Sequence, residues 1–543
     1  MAGQERRIAL KKTDVRPNIL WVSFEDTNPF YGCYGDRTAN TANLDRLAAE
    51  GCRWPHAYST AGVCAPARAA VITGMYAISI GAHHMRTGHT NEAVPELPTP
   101  YSTVVPHYVK CFTEYLRAAG YYCTNNEKTD YQFSSPFTAW DELGPDAHWR
   151  NRPRSDQPFF AVFNPTRTHE SGMWEGKFDD ELTVDPARVK LPPYFPDTPK
   201  VRRAMARMYS NIEYNDRILG NLLKQLKDDG LDENTVVFHW SDHGPLPRGK
   251  RWPYDSGIHV PMIVRWPGKL KRGSVNWNLV STVDLAPTVL SIAGVGVPSH
   301  MQGRAFLGPA AEPPRKYVHA SRDRHDEAYD MVRAVRDRRF KYIRNYHPEL
   351  PYLPWVPYLN RHPIMQEMWR LHLEGKLKGP QKLMFAPGRP AEELYDCKTD
   401  PHEIRNLAGD PAYRRNLVRL RAALDEWLDE VGDMGEIPEA EMVRRWYPAG
   451  KQPQTAAPIF VPVCAANPGL VSKRGGRFKS PLLVQLHCAT QGASIAYKPG
   501  SGGRWLLYSQ PLRLEKGRTT LLARASRIGY KQSAESKATF VVG

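Results

Sequence analysis

Two pairs of side chains, far apart along the chain, could hold a metal ion. Glu25-Asp26 and Asp242-His243 each follow an apolar run typical of a buried strand. Three carboxylates and one imidazole offer mostly oxygen ligands, which hard cations such as Ca²⁺ or Mg²⁺ prefer, and a single histidine does not favour zinc. Acidic residues after a strand also cap helices or solvate loops. Each pair alone is therefore a weak signal, and the two together predict a cation site.

A second pattern begins at Cys64. The segment Cys64-Ala65-Pro66-Ala67-Arg68, continued by Thr73-Gly74, leaves a loop of small residues and enters a predicted helix. A lone cysteine is more often a small buried side chain than a nucleophile. A C-x-P-x-R pattern also arises by chance in roughly a few per cent of chains this long. The pattern by itself leaves a catalytic role and a packing role open.

Two further polar residues lie just past the ends of predicted strands. Lys128 follows the strand 121–124, and His169 follows the strand 158–163. In open α/β sheets, ligands bind at the carboxyl ends of the strands. We therefore expect Lys128, His169 and the two acidic pairs to meet around Cys64.

Strands and helices alternate over the first part of the chain. Predicted strands cover 18–24, 121–124, 158–163, 235–240 and 258–266, and a long helix over 198–229 begins at Thr198-Pro199 and ends before Gly230. This alternation predicts an α/β fold with a doubly wound sheet. We assign this core to residues 16–315.

Three shorter regions follow the core. Residues 316–445 predict a smaller α+β subdomain, with a sheet over 317–345 that turns at Arg336-Asp337-Arg338, and a helix over 411–430. The Pro-rich stretch 446–458 predicts a linker. Short β-rich runs separated by Gly, Pro and Ser predict an all-β sandwich over 459–543.

Composition limits the classes of partner. The 543 residues carry 73 Lys+Arg and 57 Asp+Glu, a net charge of +16, which favours anionic partners or is simply a soluble surface. The charges are dispersed and show no nucleic-acid-binding motif, and a sulfated or otherwise acidic polymer explains the sign of the charge equally well. The eight cysteines form no CxxC pair, which disfavours a disulfide framework or structural zinc. No apolar run is long enough to predict a membrane span.

The Cys64 pattern, Cys64-x-Pro66-x-Arg68-x4-Thr73-Gly74, resembles the signature of the type I sulfatases of the alkaline-phosphatase-like superfamily. Other segments agree in sequence and in order, over about residues 16–430: "RPNILWVSFED", "TANLDRLAAEG", "VVFHWSDHG", "GKRWPYDSGIHVPMIVRWPG" and "ELYDCKTDPHEIRNLAGD". Glu25-Asp26, "GMYAISIGAHHM" and "SDHGPLPRGKRWPYDSG" most resemble bacterial sulfatases similar to heparan N-sulfatase. Residues 459–543 resemble the β-sandwich that ends some β-hexosaminidases, and we interpret them as a scaffold or a weak glycan contact.

The resemblance implies a mechanism. In that family the cysteine is oxidised to Cα-formylglycine by a formylglycine-generating or anaerobic sulfatase-maturing enzyme. One hydroxyl of the aldehyde hydrate attacks sulfur and the alcohol leaves; deprotonation of the second hydroxyl then expels sulfate. The resemblance further implies one Ca²⁺, rather than Mg²⁺, held by Glu25, Asp26, position 64, Asp242 and His243.

The resemblance also implies roles for the remaining polar residues. Arg68 would hold the hydrate, Lys128 and Lys250 would contact sulfate oxygens, and His169 would be a general acid or a sulfate contact. Residues expected at the substrate are His83, His84, Asp130, Arg322 and Arg324, with His325 beside them. Surface or hydrogen-bonded histidines, and a solvated charged turn, are the alternatives for these positions.

This chain departs from the family pattern at three positions. Glu25 stands where the family usually has Asp, and His243 stands where it often has Asn. Lys128-Thr129-Asp130 stands where the family often has Lys-Trp-His, so more of the acid catalysis would fall on His169. Asp130 would then meet a cationic or hydroxyl group of the substrate.

These features predict a hydrolase of sulfate esters, or of sulfamates, on a glycan. The alternatives are a phosphodiesterase or phosphonate monoester hydrolase of the same superfamily, and a non-catalytic glycan-binding relative in which Cys64 stays a thiol. The family is periplasmic or extracellular. The N-terminal segment is polar and shows no apolar signal region, so a cytoplasmic location is the alternative.

Overall fold

The computed structural model describes residues 16–178, 182–500 and 502–543. Most of the polar N-terminal segment, residues 1–15, therefore lies outside the described residues. Within the described ranges, no helix is both long and apolar enough to cross a membrane.

The core alternates strands and helices, as expected from the sequence. Its elements in chain order are β1 (Asn18–Phe24), α1 (Ala42–Glu50), β2 (Cys52–Arg53), β3 (Ala57–Tyr58), α2 (Cys64–Thr73), α3 (Phe112–Ala118), β4 (Tyr122–Asn126), β5 (Glu142–Leu143), β6 (Phe159–Phe163), α4 (Pro199–Asp228), β7 (Thr235–Ser241), α5 (Asp255–Ile258), β8 (Met262–Arg265), β9 (Ser274–Val275), β10 (Val280–Ser281) and α6 (Leu285–Ile292).

The main sheet has eight strands in the order β5-β4-β6-β1-β7-β8-β2-β9. Strands β4, β6, β1 and β7 are parallel, so their carboxyl ends lie at one edge. Strand β8 runs antiparallel to β7. The prediction of one strand over 258–266 is wrong at its start, because Asp255–Ile258 form a helical turn and the strand begins at Met262.

Helices cover both faces of this sheet. Alternate residues of β1 point to opposite sides: Ile19 and Trp21 pack with α2, α3 and α6, whereas Leu20 and Val22 pack with α1 and α4. Such a continuous apolar strand is typical of a sheet buried on both faces. The doubly wound α/β prediction is confirmed.

The second region holds a four-stranded antiparallel sheet and four helices. The sheet order is β11-β12-β13-β14, and the turn between β12 and β13 lies at the predicted Arg336-Asp337-Arg338. The elements are β11 (Val318–Arg322), β12 (Val332–Arg336), β13 (Phe340–Asn345), α7 (Pro357–Asn360), α8 (Pro363–Leu373), β14 (Glu392–Asp396), α9 (Arg414–Val431) and α10 (Glu439–Trp446).

The last region consists of two small sheets packed face to face around their own apolar cluster. Their strands are β15 (Ile459–Cys464), β16 (Asn467–Pro468), β17 (Gly475–Phe478), β18 (Leu482–His487), β19 (Ser494–Pro499), β20 (Leu506–Leu507), β21 (Leu512–Leu514), β22 (Gly517–Ser526) and β23 (Ser536–Val542). The stretch 446–458 before them has no strand of its own, but its backbone bonds to residue 531. The domain boundaries at 315, 445 and 458 stay predictions.

Candidate active site

The carboxyl ends of four parallel strands surround the first turn of α2. Glu25 and Asp26 follow β1, Lys128 follows β4, and Asp242 and His243 follow β7. Asn164 and His169 follow β6, and Cys64 is the first residue of α2. The parallel arrangement places these loops at one edge of the sheet, where ligand sites of such folds form.

Four buried residues form a cluster suited to a cation. Ligand atoms of Asp26, Cys64, Asp242 and His243 all lie within 4.8 Å of one another. The His243 Nδ1–H donates to the Gly244 carbonyl at 3.0 Å, so in the neutral ring Nε2 presents a lone pair. That Nε2 lies 3.1 Å from Asp26 Oδ1. Two acceptors this close need a proton or a cation between them, which fits a metal-ligating histidine fixed by its other nitrogen.

Glu25 borders the same thiol on its other side. Its Oε1 lies 3.7 Å from Cys64 Sγ, and Glu25, Cys64 and His169 form a second group of neighbouring ligand atoms. Glu25 also makes an ion pair with Lys128. The Asp26 backbone is left-handed, with φ of 49°, although it is not glycine. Such strain is concentrated at functional sites, where the surrounding structure enforces it.

Arg68 holds one of the carboxylates in its ionised form. Its Nε donates to Asp242 Oδ2 at 2.9 Å. Burial alone would raise the pKa of Asp242, but Arg68, His243 and Lys128 hold it well below its ordinary value. The Arg68 Nη2 group is buried without a hydrogen-bond partner in the described part of the chain. An orphaned charged donor is costly unless a ligand pairs with it, so Nη2 indicates an anion-binding position.

Two lysines add positive charge. Lys250 Nζ lies 2.5 Å from Asp26 Oδ2 and 3.1 Å from Glu170 Oε1. Burial would lower the pKa of Lys250, but these carboxylates raise it above its ordinary value, so the group stays cationic. Burial lowers the pKa of Lys128. Both lysines are placed to meet an anion beside Cys64.

His169 is partly exposed at the rim of the cluster. Its Nδ1 accepts the Ser171 backbone N–H, so Nε2 carries the proton of the neutral ring. Burial, followed by the nearby Lys250, lowers the pKa of His169 to about 4. The free site therefore holds a neutral imidazole with a donating Nε2–H, and a bound anion would favour its protonated form.

Cys64 is poorly suited to act as a thiolate. Burial, reinforced by Asp26 and Asp242, raises the pKa of its thiol well above the ordinary value despite the nearby Lys250. The helix that it begins has ten residues and no acidic residue in its first turn. The positive end of that helix favours an anion. The position is thus built to hold a neutral or modified side chain next to a bound anion.

Three supporting residues were missed by the sequence reasoning. Asn164 accepts from Arg68 Nη1 at 3.3 Å and from the Ser23 hydroxyl at 2.6 Å, which orients the guanidinium. Glu170 pairs with Lys250 and, at 2.7 Å, with Arg251. Asn164 directly follows β6, so the strand-end rule that selected Glu25 would have found it. Glu170 and Arg251 give no signal beyond adjacency to His169 and Lys250.

Asp130 lies at the edge of the site. Its Oδ2 is 3.8 Å from Lys128 Nζ, and its backbone is left-handed, with φ of 53°. His83 and His84 are buried, with ring centroids 4.2 Å apart and no hydrogen-bond partner among the described residues. Their place in the substrate pocket stays a prediction.

The arginines of the small subdomain are held elsewhere. Arg324 makes two hydrogen bonds of 2.6 Å to Glu439 of α10. Arg322 lies 2.9 Å from Asp330 and stacks over the Trp252 ring. Neither bonds to the cluster around Cys64 within the described residues. Burial, followed by Arg251 and Arg322, keeps the pKa of His325 well below its ordinary value. For all three, contact with substrate stays a prediction.

Comparison with known proteins agrees with this geometry. The family model "Sulfatase" matches residues 17–152 and 124–295, and "N-sulphoglucosamine sulphohydrolase, C-terminal" matches residues 243–352. An ulvan-active sulfatase of Formosa agariphila is 45% identical, over 96% of this chain and 91% of that protein. Human N-sulphoglucosamine sulphohydrolase is 28% identical, over 77% of this chain and 90% of that protein.

Solved structures share the fold. One, solved with its substrate D-glucosamine-2-N,6-O-disulfate, has a TM-score of 0.55 and 19% identity over 78% of this chain and all of that chain. A phosphonate monoester hydrolase from Silicibacter pomeroyi has a TM-score of 0.55 and 19% identity over 77% of this chain and 96% of that chain. Fold and site thus define a hydrolase of the alkaline-phosphatase-like superfamily.

Within that superfamily, the chain belongs to the sulfatase family. The resemblance stated from the Cys64 signature is confirmed, and so is the prediction of a sulfatase enzyme.

Proposed function

We propose that this protein hydrolyses sulfate esters, or sulfamates, of a carbohydrate, using a formylglycine made from Cys64 and one bound Ca²⁺. The observation that carries the proposal is the arrangement around Cys64. Carboxylates and His243 lie next to it, and the charged donors Arg68, Lys128 and Lys250 pair with those carboxylates. A buried site with this many preorganised donors is suited to stabilise charge on sulfate oxygens.

The metal ligands would be Glu25, Asp26, Asp242, His243 and the modified residue 64. Their mostly oxygen character suits Ca²⁺ better than zinc. When bound, the cation would act as a Lewis acid that offsets negative charge at the reacting group. We expect chelation to abolish turnover and to lower the melting temperature, with both restored by added Ca²⁺ and less well by Mg²⁺.

The chain's own donors would position the substrate. The free Nη2 of Arg68 would hold an oxygen of the hydrated side chain, and Lys128 and Lys250 would bind sulfate oxygens. The His169 Nε2–H would point at the oxygen that leaves with the sugar, first as a hydrogen-bond donor. It would become a general acid once the bound sulfate favours the imidazolium. Because the site is buried, it would also exclude water that could compete with the reaction at sulfur.

The relatives support a sulfated polysaccharide as substrate. An ulvan-active sulfatase and N-sulphoglucosamine sulphohydrolase both act on sulfated sugars by name. Of these, the relative that matches nearly the whole chain is the ulvan-active one, so we propose a sulfated oligo- or polysaccharide of that kind. A maturing enzyme that forms the formylglycine is then a required partner, and a periplasmic or extracellular location fits a polymeric substrate.

One preparation tests the activity. The chain is produced together with a formylglycine-generating enzyme, and the peptide that contains Cys64 is analysed by mass. Formylglycine is formed when the side chain loses sulfur and two hydrogens and gains one oxygen. The same sample should release sulfate from ulvan oligosaccharides, and Cys64→Ala should release none. An unmodified thiol in a fully active sample would contradict the proposal.

A second candidate is a phosphonate monoester hydrolase, because a solved enzyme of that kind shares the fold. The same site could bind a phosphonate, since its donors recognise any tetrahedral anion. Rates on a sulfate ester and on a phosphonate monoester of the same alcohol separate the two. A much faster phosphonate rate would exclude the sulfatase proposal, whereas a modified protein that binds glycan and releases neither anion would indicate a binding relative.

A further inference from the structure

A cleft of about 630 Å³ opens beside the site and is walled by three regions of the chain. The core contributes Arg86, Asp130 and Gln132, the predicted linker 446–458 contributes Tyr447, and the sandwich contributes Lys531. Its volume is in the range of small-molecule sites, about 300–1,000 Å³. It meets the reaction centre at Asp130, which lies 3.8 Å from Lys128.

The core wall of this cleft is strained. Arg86, Asp130 and Gln132 all have left-handed backbones, with φ of 57°, 53° and 61°. Gln132 is 9% exposed, and its Nε2 has no hydrogen-bond partner among the described residues. Each left-handed non-glycine residue costs roughly 1–3 kcal/mol and persists where function needs it. The concentration of strained residues along this wall supports a ligand in the cleft.

The part of the sandwich that carries Lys531 is bonded to the stretch 446–458, and two of its glycines pack closely against the core. The Lys531 N–H donates to the Pro453 carbonyl at 2.8 Å, and the Lys531 carbonyl accepts from Thr455 at 2.9 Å. A side chain added at Gly492 or Gly529 would collide with the backbone of 103–107. The predicted linker therefore does not let the sandwich swing freely, and Lys531 has a fixed place.

The Lys531 side chain is exposed and unpaired. It makes no ion pair or side-chain hydrogen bond within the ranges that the structure describes. Arg86 is already shared between Asp326, at 3.0 Å, and the face of the Tyr358 ring. Among the described residues, Lys531 is thus an unpaired cation that lines the same cleft as Asp130, whose carboxylate can accept from a sugar hydroxyl.

We propose that the sandwich completes the substrate site, and that the cleft between Asp130 and Lys531 binds the anionic sugar residue next to the one that loses sulfate. The inference rests on the proposed function. It gives the sandwich a direct part in selecting polymers over single sugars, with Asp130 holding a hydroxyl and Lys531 holding a carboxylate or a sulfate.

The test uses the full chain and a defined ulvan oligosaccharide. Binding is measured by calorimetry in a Cys64→Ala background, with Lys531→Glu compared against Lys537→Glu. Lys537 is another exposed lysine, on β23 of the same sandwich, and is not among the residues that line the cleft. Loss of a charged contact should weaken binding by about tenfold for Lys531→Glu, and by less than about twofold for the control. Equal affinities of the two variants would overturn the inference.

Kinetics of the matured enzyme give an independent readout. For Lys531→Glu, the loss in kcat/KM on the oligosaccharide should exceed the loss on an aryl sulfate by about fivefold or more, and should arise in KM. Equal losses on both substrates would overturn the inference. Two modified oligosaccharides identify the anion that Lys531 binds: one with its carboxyls reduced and one without the neighbouring sulfate. The effect of Lys531→Glu on KM should vanish with the oligosaccharide that lacks that anion.

The two proposals fail separately. If the matured protein releases no sulfate but Lys531→Glu still weakens binding, the proposed function is wrong and the cleft inference is supported. If sulfate is released and Lys531→Glu behaves like Lys537→Glu in both assays, the cleft inference is wrong and the proposed function is supported.

Discussion

His169 is the side chain best placed to assist the leaving oxygen. Its Nδ1 is occupied by the Ser171 N–H, so only Nε2 can act on a substrate. Asp130 stands where the family often has a second histidine, and a carboxylate beside Lys128 cannot take over that task. At the scale of single residues, we therefore propose that assistance to the leaving oxygen depends on the His169 imidazole.

His169→Ala should be far more damaging than Asp130→Ala on a sugar sulfate. We expect kcat to fall by about 10²–10⁴-fold for His169→Ala, since a sugar alkoxide is a poor leaving group that needs a proton. Asp130→Ala should cost about tenfold, mainly in KM. An aryl sulfate, whose alcohol leaves readily, is the control and should respond little to His169→Ala. Equal losses for the two variants on the sugar sulfate would mean that the acid lies elsewhere.

The pH dependence should also report His169. Its pKa is lowered to about 4 in the free site, so the imidazolium exists below that pH and is lost above it. If His169 is the general acid, kcat/KM on a sugar sulfate should fall as pH rises through about 4. The corresponding fall in kcat should come at higher pH, because bound sulfate favours the imidazolium. Both of these falls with rising pH should be absent in His169→Ala. A wild-type profile without it would leave His169 as a hydrogen-bond contact only.

At the scale of elements, a buried ionic cluster joins the small sheet to the core. Lys341 of β13 lies 2.5 Å from Asp255 of α5 and 2.6 Å from Glu403. Arg336 of β12 donates to the same Asp255 carboxylate at 2.9 Å. Asp255, Glu403 and Cys397 resemble a metal-binding group, but Lys341 already supplies the positive charge. We interpret the cluster as structural.

Lys341→Met should destabilise the protein strongly. It removes a fully buried ammonium, which leaves the buried Glu403 carboxylate without its ion-pair partner and the Asp255 carboxylate with Arg336 alone. Breaking such a pair costs about 3–5 kcal/mol, seen as a lower denaturant midpoint for the transition of this region. The exposed Lys537→Met is the matched control and should change stability by less than about 0.5 kcal/mol. A Lys341→Met variant as stable as that control would show that the cluster contributes nothing.

At the scale of the whole molecule, the net charge of +16 should act on the capture of a polyanion. Raising ionic strength from about 0.1 M to about 1 M shortens the Debye length from about 10 Å to about 3 Å. We expect kcat/KM on a sulfated oligosaccharide to fall by roughly tenfold, through KM, with a smaller change on a singly charged aryl sulfate. Steady-state rates at several salt concentrations check this. If kcat/KM on the oligosaccharide did not depend on salt, the surface charge would not contribute to substrate capture, and only the charges of the buried site would act on the substrate.

Much of the fold followed from local patterns. Thr198-Pro199 predicted the start of α4, and the structure shows the Thr198 hydroxyl accepting from Val201. The residues after β1 and β7 were selected because parallel strands end at one edge, and they do meet there. These signals are local, or depend on one rule of sheet geometry, so they are readable without coordinates.

Other contacts could not be read in this way. Strand β8 is short, antiparallel and preceded by a helical turn. In the sequence, its apolar run is the same as that of a parallel strand. The pairing of Arg251 with Glu170 joins loops far apart in the chain, and neither residue differs in type from many solvated ones. The ion pair between Arg324 and Glu439 could not be predicted for the same reason. The charge of a side chain does not by itself determine which partner it pairs with.

The sequence by itself determined the family, the α/β core and the residue types that gather at Cys64, because these depend on short motifs and on strand ends. Only the tertiary structure decided which donors lack a partner among the described residues, such as Nη2 of Arg68, Nε2 of His169 and the ammonium of Lys531. It also decided that Lys531 of the sandwich lines the cleft beside the candidate site. The physical reason is that a side chain's availability depends on what its neighbours have already satisfied, and those neighbours come from distant parts of the chain.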